Sequence, residues 1–168
     1  MNAQESAIKN TNSHRFDLGI RRLSEELNRE DSQLRSYLLD AALAGLRLTR
    51  SPESPELKRD AARIWATIEP ILAHHLQAED DELLPWLDQQ GPLSPDIGRK
   101  LREYHGKLRT LIGIIAASGK DNLTEMEARQ GGNALSGLAM SLDDAIDDEE
   151  RRLFPTIRRA LVGIAPRA

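Results

Sequence analysis

Apolar residues recur at spacings of three and four along most of the chain, which is the period of a helix with one buried face. No segment shows the strict alternation expected of a half-buried strand. Prolines, glycines and polar turns divide the periodic stretches into four helices at about residues 24–48, 55–84, 95–118 and 121–154, and a short helix follows from Pro155. We therefore predict an all-α fold, an antiparallel up-down four-helix bundle with a short C-terminal helix.

The ends of the second and third helices are marked by residues that favour helix starts and stops. Ser54–Pro55 and Ser94–Pro95 each place an N-cap serine before a proline at the first helical position. Gly119 has the residue type that favours the C-cap of the third helix. These signals define where the second and third helices begin and where the third helix ends.

The start of the fourth helix is less sharply marked. Asp121 or Asn122 is the predicted N-cap, because both side chains accept hydrogen bonds from free backbone N–H groups. Gly131–Gly132 follows within the helix, and glycine weakens a helix interior. We expect this end of the helix to be poorly defined by the sequence.

Each apolar seam is interrupted by a polar residue that can bind a metal. These residues are Asp31 in the first helix, His75 and Glu79 in the second, His105 in the third and Glu149 in the fourth. At about 1.5 Å rise per residue they all fall in one layer, roughly 7–15 Å from one end of an up-down bundle. Burying such groups without partners costs several kcal/mol each. The pattern therefore predicts a metal site, and the alternative is a buried polar network without metal.

A repeated segment links the second and fourth helices. The sequence HHLQAEDDELLP at 74–85 returns as AIDDEERRLFP at 145–155. Aligning the two prolines places Glu79 on Glu149 and His75 on Ala145. The second copy has lost a histidine, so we predict an asymmetric site.

The length of 168 residues fits one domain with a single core. Apolar residues make up 39% and charged residues 30%, which is ordinary for a water-soluble globular protein. We divide the chain into a flexible N-terminal segment at 1–18, the bundle at 19–163 and a C-terminal tail at 164–168.

Charge and cysteine content exclude several classes of function. The net charge of -4 offers no electrostatic basis for binding nucleic acid. There are no cysteines, which excludes disulfides, zinc fingers and thiol catalysis. The polar N-terminus lacks the apolar region of a signal peptide, and no long uncharged stretch is present. We therefore expect a cytoplasmic protein with neither membrane nor nucleic-acid partners.

The ligand-like residues lie in motifs that resemble those of the hemerythrin-like (HHE) family. HHLQAEDDELLP resembles the family phrase with His75 and Glu79, and EYHGKLR resembles the segment that carries His105. The EE and LFP of the fourth helix match the segment of Glu149, and EDSQLR matches the first helix, with Asp31 where the family has histidine. The resemblance covers about residues 20–155.

This resemblance implies a four-helix bundle around a non-haem di-iron centre. Glu79 and Glu149 would be the bridging carboxylates. One metal would be bound by Asp31 and His75 together with the bridges, and the other by His105 and the bridges. The implied cofactor is iron, as two ions or as one well-occupied ion, with other divalent metals as alternatives. Asp31 could instead interact favourably with the positive end of the dipole of the first helix.

Ala145 leaves the second metal position short of one nitrogen donor. That position would be open to an external ligand, weakly occupied or empty, unless Asp144 or Asp148 takes the place of the missing histidine. His74, one residue before His75, faces away from the seam and is expected at the surface.

Two classes of function follow. The first is a hemerythrin-like metalloprotein that handles a small oxidant or ligand such as dioxygen, peroxide or nitric oxide. The second is a degenerate bundle that has kept the fold, lost the metal and acts as an interaction or regulatory module. Sensing, storage, repair and catalysis are all compatible with the first class, and metal analysis separates it from the second.

Overall fold

The computed structural model describes the backbone of residues 3–90, 95–118 and 123–163, and the side chains of residues 18–89, 97–118 and 123–162. Within these ranges every regular element is helical, which confirms the all-α prediction. The α-helices are α1 (Ala3–Arg50), α2 (Pro55–Ala78), α3 (Leu84–Gln90), α4 (Pro95–Ala117), α5 (Glu125–Asp148) and α6 (Phe154–Gly163). A π-helical turn at Glu79–Leu83 joins α2 to α3, and a second at Glu149–Leu153 joins α5 to α6.

Helix α1 begins at Ala3, far earlier than the predicted start near Ser24. The residues before Ser24 are mostly polar and include no proline, and polarity alone does not end a helix. Ile20 and Leu23 are buried, which agrees with a bundle core that begins near residue 19. The flexibility of residues 1–18 stays a prediction, and residues 164–168 lie outside the described backbone.

Contacts between α1 and α5 show that these helices run in opposite directions. Arg35 donates a hydrogen bond to Asp147 at 2.8 Å, whereas Thr49, further along α1, contacts Asn133, earlier in α5, at 3.1 Å. Short connections join α1 to α2 and α4 to α5. These contacts and connections agree with the predicted up-down bundle, and α6 is the short C-terminal helix.

The predicted cap of α2 is confirmed and that of α5 is wrong. Ser54 Oγ accepts a hydrogen bond from the Leu57 backbone N–H at 3.4 Å. Helix α5 is capped by Thr124 instead of Asp121 or Asn122. Thr124 and Glu127 form a capping box, in which each side chain accepts from the other residue's backbone N–H. Pro95 begins α4 as predicted, whereas Ser94 and Gly119 lie outside the described residues.

Gly132 serves helix packing and does not disturb α5. A Cβ atom added at Gly132 would lie 2.7 Å from the Gly45 carbonyl oxygen, and one added at Gly45 would lie 2.5 Å from the Gly132 oxygen. Both distances are far below normal contact, so α1 and α5 touch backbone to backbone at these glycines. Gly132 is therefore explained by the close approach of α1 and α5.

The core consists of two apolar clusters with a polar layer between them. The larger cluster includes Leu34, Trp65 and Leu108, and the smaller includes Leu27 and Trp86 at one end of the bundle. On α1 the change from one cluster to the other takes place between Leu27 and Leu34. The predicted polar residues lie at this level on each helix.

Candidate metal centre

The structure brings all five predicted ligand residues into the interior of the bundle. Their exposed fractions are 0% for Asp31, 2% for His75, 0% for Glu79, 1% for His105 and 4% for Glu149. They come from α1, α2, the two π-helical turns and α4. The predicted convergence is thus observed in the geometry.

His75 lies at the centre of the layer. Its Nε2 atom is 3.5 Å from Asp31 Oδ1, 3.5 Å from Glu79 Oε2 and 3.5 Å from Glu149 Oε2. Glu79 Oε2 is also 2.9 Å from His105 Nε2, so one glutamate oxygen faces both histidines. One donor atom each from Asp31, His75 and Glu149 lies within 4.8 Å of the other two.

Several carboxylate oxygens in this layer have no hydrogen-bond partner. They are both oxygens of Asp31, Oε1 of Glu79 and Oε2 of Glu149. Buried polar atoms are normally paired, and unpaired ones need a proton, a water molecule or a cation. Carboxylate oxygens and imidazole nitrogens are donors that iron, manganese and zinc accept. The residues present therefore fit a divalent metal ion.

A carboxylate lies behind each buried histidine. His105 Nδ1 is 2.8 Å from Asp80 Oδ1, and Arg109 donates a hydrogen bond to the same carboxylate. His75 Nδ1 is 3.4 Å from Glu30 Oε2. Such outer carboxylates orient metal-binding histidines through the ring nitrogen that does not face the metal.

Sequence reasoning missed Glu30 and Asp80. Each is the chain neighbour of a predicted ligand, Asp31 or Glu79, and lies one position off the apolar seam. In the sequence each is a charged residue beside the apolar seam, and many exposed residues that contact no histidine have the same pattern.

Both glutamates of the repeat begin a π-helical turn. The backbone N–H of Leu84 donates to the Glu79 carbonyl, and that of Phe154 donates to the Glu149 carbonyl. A proline follows each turn, at Pro85 and at Pro155. A proline ring clashes with the carbonyl four residues earlier, and widening the preceding turn relieves this clash. Single π-helical turns within helices are frequent at functional sites.

The family profile described as Hemerythrin HHE cation binding domain matches residues 22–157. The chain belongs to the hemerythrin HHE family. Searches of curated proteins and of solved structures find no match. The matched range contains both π-helical turns and every residue of the buried layer.

Position 145 of this hemerythrin HHE domain, which the repeated segment aligns with His75, carries no metal-binding side chain. Ala145 is buried, with 2% of its surface exposed. Of the two neighbouring aspartates, Asp144 is exposed and Asp148 forms an ion pair with Arg152 at 3.3 Å. His74 is at the surface as predicted, with 53% of its side chain exposed.

The arginine-carboxylate pair found behind His105 has a counterpart near Asp31. Arg35 donates a hydrogen bond to Glu150 at 3.2 Å. In the sequence comparison Arg35 corresponds to Arg109 and Glu150 corresponds to Asp80. Asp31 has no N–H group to donate to Glu150. The carboxylate paired with Arg109 therefore contacts a histidine ring, whereas the corresponding pair of Arg35 and Glu150 has no histidine at position 31 to contact.

The pKa values of the layer reflect burial and like charges. Burial, and then the nearby Glu149 charge, raise the pKa of Asp31 to about 8. Burial and the Glu79 charge raise the pKa of Glu149 to about 7. Burial alone would lower the pKa of His75, but the Glu149 and Glu30 carboxylates beside the ring raise it well above 6.5.

His105 follows the same pattern. Burial works against its charged form, but Glu79 and Asp80 on either side of the ring raise its pKa. Without a cation, the layer therefore holds protons that a bound metal would displace. In the described part of the chain, no helix is both long and apolar enough to cross a membrane.

Proposed function

We propose that this hemerythrin HHE domain holds a non-haem metal centre, with iron as the resident ion. The ligands are Asp31, His75, Glu79, His105 and Glu149. The observation that carries the proposal is the set of buried carboxylate oxygens without hydrogen-bond partners, two of which, Asp31 Oδ1 and Glu149 Oε2, lie 3.5 Å from His75 Nε2. A cation would satisfy these oxygens and offset the repulsion between the carboxylates.

The proposed centre is asymmetric. The position beside His75 has that histidine and Asp31 in addition to the two glutamates, and these donors lie close together. The position beside His105 has one histidine and the same glutamates, because Ala145 supplies no donor. We therefore propose that the position of His75 is filled more completely than that of His105.

The ligand of the proposed centre is a small oxidant or gas, such as dioxygen, peroxide or nitric oxide. Bound iron supplies an open coordination position and redox chemistry to such a molecule. The chain encloses the layer between two apolar clusters, which keeps bulk water and larger substrates away. Asp80 holds the outer side of the His105 ring, whereas Glu30 Oε2 lies 3.4 Å from the outer nitrogen of His75 without a hydrogen bond.

A cleft borders the outer side of the His105 ring. Its volume is about 320 Å³, and Asp80, Arg102 and Arg109 are among the residues that line it together with His105. Only 1% of His105 is exposed, so a molecule in this cleft reaches the buried layer only when side chains around His105 move, and such motion favours a molecule of two or three atoms over a larger substrate. This cleft supports the proposal of a small ligand on the less complete side of the centre.

The test is the metal content of protein purified without chelator and then dialysed, measured by inductively coupled plasma mass spectrometry. We expect iron in the wild type and a larger loss in Glu79→Gln than in Asp31→Asn, because Glu79 faces both histidines. Glu82→Gln is the matched control, since Glu82 lies in the same π-helical turn and is exposed. A wild type without metal would favour the degenerate bundle, and equal losses in the two ligand variants would refute the bridging role of Glu79.

A further inference from the structure

A second group of metal-binding side chains lies at the surface beside the buried layer. Glu26 and Glu30 are one helical turn apart on α1, and His74 faces them from α2. One donor atom of each residue lies within 4.8 Å of the other two. His74 Nδ1 is 2.7 Å from Glu30 Oε1, whereas Glu26 makes no ion pair or hydrogen bond with any side chain that the structure describes.

A buried, unpartnered group points toward this cluster from the inside. His75, the next residue along α2, is 2% exposed, and its Nδ1 atom has no hydrogen-bond partner. This atom lies 3.4 Å from Glu30 Oε2, which is itself buried and unpartnered. Glu30 thus directs one oxygen to the surface histidine and the other to the buried one.

This arrangement has the chemistry of a cation site. Two carboxylates and one imidazole are a donor set for divalent zinc, manganese or iron, with water filling the remaining positions at an exposed site. A cation would also compensate the charge of Glu30, whose buried oxygen has no hydrogen-bond partner and lies 3.4 Å from His75 Nδ1. A simple pair between His74 and Glu30 would leave that oxygen and the whole Glu26 carboxylate unused.

We propose that Glu26, Glu30 and His74 form a surface site for a divalent transition-metal ion, adjoining the buried centre and separate from it. Its ligands come from α1 and α2 alone, so it does not depend on Glu79, His105 or Glu149. The surface ion binds more weakly than the buried one, since most of its surroundings are water.

The experiment is calorimetric titration of Zn²⁺ into the full-length chain. We expect one weak equivalent in the wild type beyond the tightly held metal, and at least about tenfold weaker binding of that equivalent in His74→Gln and in Glu26→Gln. Glu69→Gln is the control, because Glu69 is exposed on the same helix as His74 and lies away from the cluster.

Two results would overturn this site: unchanged Zn²⁺ binding in His74→Gln, or an equal loss in Glu69→Gln. The same titration in Glu79→Gln separates the two sites. Loss of tight metal together with retention of the weak, His74-dependent equivalent supports a surface site independent of the buried centre. If the buried centre holds no metal in any variant, a weak equivalent that still disappears in His74→Gln continues to support the surface site.

Discussion

Removing the metal and raising the pH should destabilise this protein strongly. In the metal-free chain, the pKa of Asp31 is about 8 and that of Glu149 about 7. A carboxyl group with a higher pKa in the folded chain than in the unfolded chain keeps its proton more firmly when folded. Stability is then lost as the pH rises from the unfolded value through the folded one.

The histidines change stability in the same direction. The pKa values of His75 and His105 are raised in the folded chain. A histidine of this kind stabilises the fold below its ordinary pKa, and the stabilisation is lost as the pH rises through the folded value. Carboxylates and histidines of the layer therefore both favour the metal-free fold at low pH.

The size of the effect follows from the pKa of Glu149. A rise from 4.5 to about 7 corresponds to roughly 3 kcal/mol, at about 1.4 kcal/mol per pH unit. Asp31 acts in the same direction, but it shares the cluster of charges, so its contribution does not add fully. We expect a loss of about 3 kcal/mol or more between pH 5 and pH 8, a large part of the 5–15 kcal/mol typical of a domain.

Urea unfolding of chelator-treated protein at pH 5 and pH 8 measures this loss directly. Restoring the metal should remove most of the pH dependence, because the cation replaces the protons. Glu149→Gln should also reduce it, since an amide does not titrate. Metal-free stability that is constant or increases from pH 5 to pH 8 would refute the reasoning.

Three further predictions concern packing and the ligand layer. Gly132→Ala should destabilise the fold by about 2 kcal/mol or more in urea unfolding, because the added Cβ would meet the backbone of α1. Gly106→Ala is the control, because Gly106 is exposed on α4, and it should stabilise the fold by up to about 1 kcal/mol. Ala145→His should raise the metal retained after dialysis toward two ions per chain, and a variant that gains none would show that position 145 is not a vacant ligand position. Asp80→Asn should weaken metal binding about 10- to 100-fold in competition with a chelator, while Asp88→Asn, an exposed residue of the same cleft, should not.

The buried layer could be predicted because polar residues interrupted otherwise regular apolar seams. His75 and Glu79 share the seam of one helix, and the period of the helix sets their direction toward the core. The up-down topology then placed residues from distant parts of the chain at one level. This inference needed no side-chain detail, and the five residues do converge.

The outer residues could not be predicted in the same way. Glu30 and Asp80 lie at the edges of helix contacts, where rotation by a few tens of degrees decides between solvent and a histidine ring. Hydrophobic periodicity does not resolve such rotations. The π-helical turns were equally hidden, because a proline follows each of them but Pro70 lies in a regular α-helix.

The errors at helix ends have simple origins. The prediction placed the start of α1 near the beginning of its apolar seam, whereas the helix continues through the polar residues that precede the seam. The cap of α5 was assigned to Asp121 or Asn122 because of residue type alone. Thr124 with Glu127 three residues later was the stronger signal, since the two side chains satisfy each other's backbone N–H groups.

Anomalous diffraction at the iron edge, from crystals of protein purified without chelator, tests the central claim most directly. We predict a strong peak within bonding distance of the His75 ring and of the Asp31, Glu79 and Glu149 carboxylates. A weaker peak, or none, is expected beside His105. If protein that has not been exposed to a chelator shows no peak in this layer, the result would contradict the proposal that the bundle holds iron.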